Sequence, residues 1–290
     1  MDATPRALLT AWGWRPDVLL VLTALGTAYV IGWWHLRKGR ARFCRPWRLV
    51  VYLAGLGFVG LALLSPIDTL ASTLFLVHMV QHELLIMVAP PLLLLADPLP
   101  VLLWGLPRTL RLGMRRLLGR GARVRRILQV ATWMPVAGGI FVGNLWAWHI
   151  PAAYEAALWS HLLHDLEHVT FFGTALLFWW PILNPAPRLH GQIACGLRIL
   201  YILAATFQTV ALGFVIAVMD RVLYPSYAAT PRLWSLSPLD DQAFGGAIMS
   251  EGGMMFLIPL LVLISRWLND EERRTRLREV ISLRLRKAAE

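Results

Sequence analysis

Charge is scarce in this 290-residue chain: 16% of residues are Asp, Glu, Lys or Arg, against about a quarter in soluble domains. With 57% hydrophobic residues and a mean hydropathy of +0.57, that scarcity excludes an ordinary soluble domain. Cysteine is scarce as well. Cys44 and Cys195 have no metal-type spacing, and each lies near a basic loop placed on the cytoplasmic side, where disulfides are rare; neither is assigned a role. No run alternates apolar and polar residues, which excludes a membrane β-barrel. The sequence also lacks a repeat, a low-complexity tract and any loop long enough for a separate soluble domain. No basic n-region or small-x-small site accompanies the first apolar run, so it reads as a membrane span and not as a cleaved signal.

What is present is apolar residue in long blocks. Seven runs approach the length that crosses a bilayer: Val18–Trp34, Leu49–Leu64, Leu74–Ala96, Ile127–Trp148, His161–Leu183, Leu197–Met219 and Gly245–Ser265. The expected fold is therefore all-α, a polytopic membrane protein with seven transmembrane helices. A short segment 1–17 precedes a membrane domain 18–268, and a basic tail 269–290 follows it. The tail mixes Arg, Glu and Leu at helical spacing, and reads either as an amphipathic helix on the inner leaflet or as a solvated helix. Tryptophans such as Trp33, Trp34, Trp148, Trp159, Trp179 and Trp180 cluster near predicted span ends, as interfacial aromatics do. The second run is short, and Pro90-Pro91 predicts a kink in the third.

The net charge of +11 comes mostly from arginine. In a soluble protein it would suggest a nucleic-acid partner; here the arginines sit in short loops, where they set topology and meet membrane lipid, so no nucleic acid is expected. Alternate connections carry 24 of the 28 Lys and Arg residues, and the opposite side carries 4. The positive-inside bias therefore predicts an N-out, C-in topology.

Against this background the ionisable residues inside spans stand out, because each is costly without a partner or a purpose. His78 and His82 lie four apart on span three, so they share a helical face. His161, His164 and His168 share a face at the start of span five, and His149 follows the end of span four. Six of the eight histidines thus gather on the outer side, from three spans; His35 and His190 lie on the other side. Imidazole is the commonest protein ligand for copper, zinc and iron, and a pair at i and i+4 offers two nitrogens to one ion. Two such pairs, His78/His82 and His164/His168, complete four. Glu83, Asp165 and Glu167 are placed to orient ring N–H groups. Met79, Met249, Met254 and Met255 add thioethers near the same level, which favour Cu(I). The competing reading is a polar network that packs the outer span ends, and for Met254 and Met255 packing is the expected role. Gln208 reads as helix–helix glue, and Gly245-Gly246 as a point of close helix approach.

Several ordered blocks resemble one family. His78-Met-Val-Gln-His82 with Ala89-Pro-Pro-Leu-Leu and Asp97-Pro98 is the first. Trp148-His149-Ile-Pro151 through Leu158, then His164-Asp-Leu-Glu167-His168 and Phe178-Trp-Trp-Pro181, is the second. Leu236-Ser-Pro-Leu-Asp-Asp241-Gln242 with Gly245, Gly246 and Met249 is the third. Together they are similar to the CtaG family of caa3-type cytochrome c oxidase assembly factors. Ser250 stands where an aromatic is expected, and Glu83 where an apolar residue is common. The resemblance implies a multi-pass protein of the bacterial plasma (inner) membrane that supports maturation of haem-copper oxidases, with copper delivery as the suspected task. By motif, it places His78, His82, His149, His164, His168, Asp241 and Met249 at stake.

The expected function is thus an assembly factor with copper bound at an outer histidine cluster: His78, His82, His164, His168 and His149 as ligands, with Glu83, Glu167, Asp241 and Met249 around them. The expected partners are oxidase subunits or other copper chaperones. No nucleophile with a paired base is apparent, so no enzyme activity is expected. A haem-binding membrane redox protein is a rival reading, since facing histidines can ligate haem axially. A copper or proton transporter ranks lower because polar groups do not cross the full thickness. A histidine-box oxygenase is set aside because the histidines face away from cytoplasmic reductant. A scaffold that binds no ligand is the bland alternative.

Overall fold

The structure is a computed structural model; it describes residues 11–37, 44–119, 121–191, 193–231, 234–265, 267–269 and 271–272. The described elements are all helical. They are α1 (Pro16–Leu36), α2 (Pro46–Leu64), the short α3 (Pro66–Ala71) and α4 (Phe75–Glu83), which passes through a π-helical turn, Leu84–Val88, into α5 (Ala89–Leu95). Next come α6 (Pro98–Gly105), α7 (Arg108–Leu117), α8 (Arg123–Ala131), α9 (Met134–Trp148) and α10 (Pro151–Trp159). The chain ends with α11 (His161–Leu183), α12 (Cys195–Val218), the single turn α13 (Pro225–Ala228) and α14 (Pro238–Met255). Beyond a turn at Phe256 the last span continues, running Pro238–Asn269 in all. The basic tail expected at 269–290 lies almost wholly outside the described residues.

Among the described residues, six helices are long and apolar enough to cross a membrane, and seven if one bent pair counts as a span. That pair is a correction. The run Ile127–Trp148, expected as one straight span, is broken between α8 and α9 with a bend of 68°. Two residues explain it. Pro135 has no N–H and its ring would strike the Ala131 carbonyl in a continuous helix. The buried Thr132 hydroxyl turns back onto the Leu128 carbonyl at 2.6 Å, a contact that bends helices. The second span is less short than its apolar run, because Pro46, Trp47 and Arg48 form its first turn.

Span three shows how proline is absorbed. Pro90 cannot donate to the Ile86 carbonyl, and the chain widens into the π turn just before it. The freed carbonyl accepts the indole N–H of Trp179 from α11 at 3.0 Å, so the irregularity becomes a cross-link. At the end of that span Asp97 adopts a left-handed conformation, φ 51°, and binds two groups. It pairs with Arg48 at 2.7 Å, accepts the Ala186 N–H at 2.8 Å, and lies beside Ala96, whose carbonyl accepts the Tyr29 hydroxyl at 3.0 Å.

Glycine sets the closest approaches. A Cβ at Gly246 would lie 2.6 Å from both the Gly213 carbonyl oxygen and the Ala217 nitrogen, so α14 and α12 meet backbone to backbone. Gly32 on α1 and Gly105 on α6 do the same: a Cβ at either would collide with the other helix's backbone. The larger core packs Phe75, Phe141, Phe171, Phe178, Trp179 and Phe256 between α4, α9, α11, α12 and α14. A smaller one stacks Tyr29 on Tyr52, centroids 3.8 Å apart, with Leu56, Leu93 and Val101. The outward faces are apolar, with Leu20, Val50, Leu200, Phe207, Phe214 and Ile258 exposed, as lipid contact requires.

Candidate metal centre

Two helices deliver the centre. On α4, His78 and His82 point to one side while Gln81 points to the other, where its amide donates to the Ala62 carbonyl at 2.8 Å and to Asp68 at 2.7 Å. Those two bonds fix the rotation of α4 against α2 and α3. Asp241, from the first turn of α14, caps α4: its carboxylate accepts the N–H groups of Phe75 at 2.8 Å and Leu76 at 2.9 Å. On the facing side, Trp148 of α9 donates to Thr170 of α11 at 2.8 Å, two residues from His168.

Between these helices the imidazoles meet. Ring centroids are 4.3 Å apart for His78–His82, 4.2 Å for His164–His168, 5.2 Å for His78–His164 and 5.5 Å for His82–His168. Donor atoms of His78, His82 and His168 lie within 4.8 Å of one another, and so do those of His78, His164 and Glu167. The Glu167 carboxylate sits among them, 4.0 Å from His78 Nε2 and 3.7 Å from His82 Nε2, too far for hydrogen bonds. His149 stands further out, its centroid 6.4 Å from that of His82.

The decisive feature is what these atoms do not bind. His78 Nε2, both nitrogens of His82 and of His168, His149 Nε2, His164 Nε2 and both oxygens of Glu167 are buried with no hydrogen-bond partner. Glu167 and His78 are 0% exposed. Burying a polar atom unpaired costs roughly 1–3 kcal/mol, so such a concentration is expected only where something else satisfies it. Neutral nitrogens and a carboxylate, all converging and all unpaired, are what a cation needs.

The remaining atoms of the histidines are held. His78 Nδ1 lies 2.7 Å from the hydroxyls of both Tyr154 and Tyr227, which are 3.0 Å from each other, and Tyr227 donates to the Ala71 carbonyl at 3.1 Å. One proton assignment satisfies every member. His78 Nδ1–H donates to Tyr154, Tyr154 to Tyr227 and Tyr227 to Ala71, which leaves the Nε2 lone pair of His78 facing the cluster. His149 Nδ1 is 2.7 Å from the Leu145 carbonyl, and its own carbonyl accepts the Tyr224 hydroxyl at 3.0 Å, so its Nε2 is likewise the free atom. Tyr154 and Tyr227 received no role from the sequence. Tyr154 lies within a block that carried the family resemblance, but nothing in its spacing points at His78.

Other expected residues are placed elsewhere. Asp241 places both oxygens on the α4 cap. Glu83 turns towards α14, where its carboxylate packs against Gly252. Met249 and Met79 belong to the apolar core with Phe75 and Phe171, so the atoms gathered at the centre are nitrogen and oxygen. Glu167 lies at the middle of the cluster and not behind a ring. His161 is exposed. His35 and His190 bind the Trp104 carbonyl and Thr132, away from the centre.

A crevice of about 360 Å³ runs from the outer surface of α1, α2 and α11 to His168, lined by Leu22, Val59, Leu85 and Phe172. Arg15 closes its polar end by pairing with Asp165 at 2.5 Å and Asp17 at 2.8 Å. Hydrogen bonds donated to Asp165, then to Asp17, raise the Arg15 pKa and keep the guanidinium charged.

The family model for the cytochrome c oxidase caa3 assembly factor (Caa3_CtaG) matches residues 27–270. The chain belongs to that family. The match takes in every helix of the centre, from the end of α1 to the last span. Among curated relatives, an uncharacterised protein of Mycobacterium leprae is 27% identical over 281 residues, and one of Mycobacterium bovis 26% over 273. Each alignment covers 90% of this chain and 40% of the relative, so the chain spans well under half the length of the curated relatives it matches. No solved structure matches it. For this caa3 assembly factor family member, the histidine blocks that carried the resemblance are the same ones that build the centre.

Proposed function

We propose that this chain is an oxidase assembly factor of the bacterial plasma membrane that holds copper in the imidazole–carboxylate centre and supports metallation of a haem-copper oxidase. The observation that carries this reading is the convergence of buried, unpaired donors from His78, His82, His164, His168 and Glu167. Imidazole-rich sites bind copper more tightly than the other first-row divalent ions, and the family's client enzyme needs copper. His149 faces the same centre from the His82 side. The arginine bias supports an extracytoplasmic centre with the C-terminus inside, where an oxidase subunit or another copper chaperone would meet it. The role is delivery and not catalysis. The contacts of Glu167 with the rings favour an ion over haem: a carboxylate within 4.0 Å of two imidazoles leaves no slot for a macrocycle.

The test is the double change His78→Ala, His82→Ala in the full chain. Copper retention by the purified protein and the level of active oxidase both fall, while the amount of protein in the membrane does not. Unchanged copper content overturns the reading. A Soret band with bound iron in the parent protein replaces it with the haem alternative. Reporter fusions after Ser160 and at the C-terminus test the orientation.

A further inference from the structure

We infer that the centre holds two metal ions, not one, on successive rungs between α4 and α11, with Glu167 bridging them; this rests on the metal-binding reading above. The simplest arrangement from sequence gives each i, i+4 pair to one shared ion. The ring spacings argue otherwise. Two imidazoles bound tetrahedrally at about 2.1 Å from one ion set their ring centroids roughly 5 Å apart. The pairs across the helices meet that spacing: 5.2 Å for His78–His164 and 5.5 Å for His82–His168. The pairs along each helix, at 4.3 and 4.2 Å, are tighter than a tetrahedral ion sets them, and the diagonal His78–His168, at 6.2 Å, is wider. Each ion therefore takes one imidazole from each helix.

The carboxylate divides in the same way. Glu167 Oε2 faces His78 Nε2 at 4.0 Å, and Oε1 faces His82 Nε2 at 3.7 Å, so one oxygen serves each rung. The first rung is His78, His164 and Oε2, a set whose donor atoms already lie within 4.8 Å of one another. The second is His82, His168 and Oε1, with His149 on the His82 side. Successive residues of an i, i+4 pair rise by about 6 Å, and carboxylate-bridged ions sit about 3.5–4 Å apart, so the two rungs converge on the shared bridge.

Accounting for unpaired atoms leads to the same number. An ion held by His78, His82 and His168 leaves His164 Nε2 and a Glu167 oxygen buried and unsatisfied. Two ions leave a role for every imidazole on α4 and α11 that reaches the centre and for both carboxylate oxygens. His164 of the first rung is partly buried, and the crevice reaches His168 of the second, so each rung has one approach from the surface.

The experiment loads the detergent-purified full chain with excess copper(II), desalts it, and measures copper per protein by mass spectrometry. Two coppers per chain are expected, with a half-field paramagnetic resonance signal from the coupled pair. His164→Ala is expected to hold one copper and to lose that signal. Glu167→Gln is expected to fall below two. One copper in the parent protein, with no half-field signal, overturns the two-ion arrangement while leaving a single copper site intact. No copper at all overturns the site itself. The parent measurement stands even if a variant fails to fold.

Discussion

Replacing Asp241 with alanine removes the cap that sets the start of α4, three residues before His78. Its two oxygens accept N–H groups at 2.8 and 2.9 Å, and the site is 1% exposed, so water cannot take their place. Each charge-assisted bond contributes roughly 1–2 kcal/mol net, so the loss is about 2–4 kcal/mol. Thermal unfolding in detergent, followed by intrinsic tryptophan fluorescence, then shifts down on the order of 5–10 °C. Asp241→Asn keeps one accepting oxygen but turns an amide N–H towards a backbone donor, so it falls between parent and alanine. Copper affinity falls with stability, because α4 carries both His78 and His82. An Asp241→Ala protein with parental melting temperature would refute the view that this carboxylate is a structural cap.

Three further predictions follow from single contacts. Trp179→Phe leaves the Ile86 carbonyl unpaired and destabilises by about 1–3 kcal/mol, and in a double-mutant cycle Pro90→Ala recovers part of that loss by restoring a helical donor; additive effects would contradict it. Tyr154→Phe and Tyr227→Phe each lower copper affinity roughly 10–100-fold by loosening His78, as a competition titration against a chromophoric chelator shows. Gly246→Val drives α12 and α14 apart, because a Cβ there meets only backbone at 2.6 Å; it costs roughly 3 kcal/mol or more and is read as loss of monodisperse protein on size exclusion.

Much of the architecture was legible because lipid imposes a simple rule: backbone groups must be satisfied inside helices, and long apolar runs announce them. The expected run His161–Leu183 is α11 residue for residue. The i, i+4 pairs were legible for a related reason, since helical periodicity puts His78 with His82 and His164 with His168. Periodicity gives a face but not what that face meets. It could not tell that Glu167 enters the cluster while Glu83 turns to Gly252, because both simply neighbour a histidine in sequence. Asp241 lies 166 residues from the Phe75 N–H it accepts, and no local pattern reports a cap supplied at that distance. The thioethers of Met79 and Met249 were expected near the centre from depth, and Met249 from its motif as well, yet depth does not fix azimuth, and both pack with Phe75. The broken span was readable at Pro135, but the apolar composition on either side masked it.

X-ray absorption at the copper edge tests the central claim most directly. Copper bound to the purified chain is predicted to show a first shell of nitrogen and oxygen at about 2.0 Å, with the outer-shell scattering of several imidazoles. A shell dominated by sulfur, or one without imidazole scattering, would contradict a centre built from His78, His82, His164, His168 and Glu167.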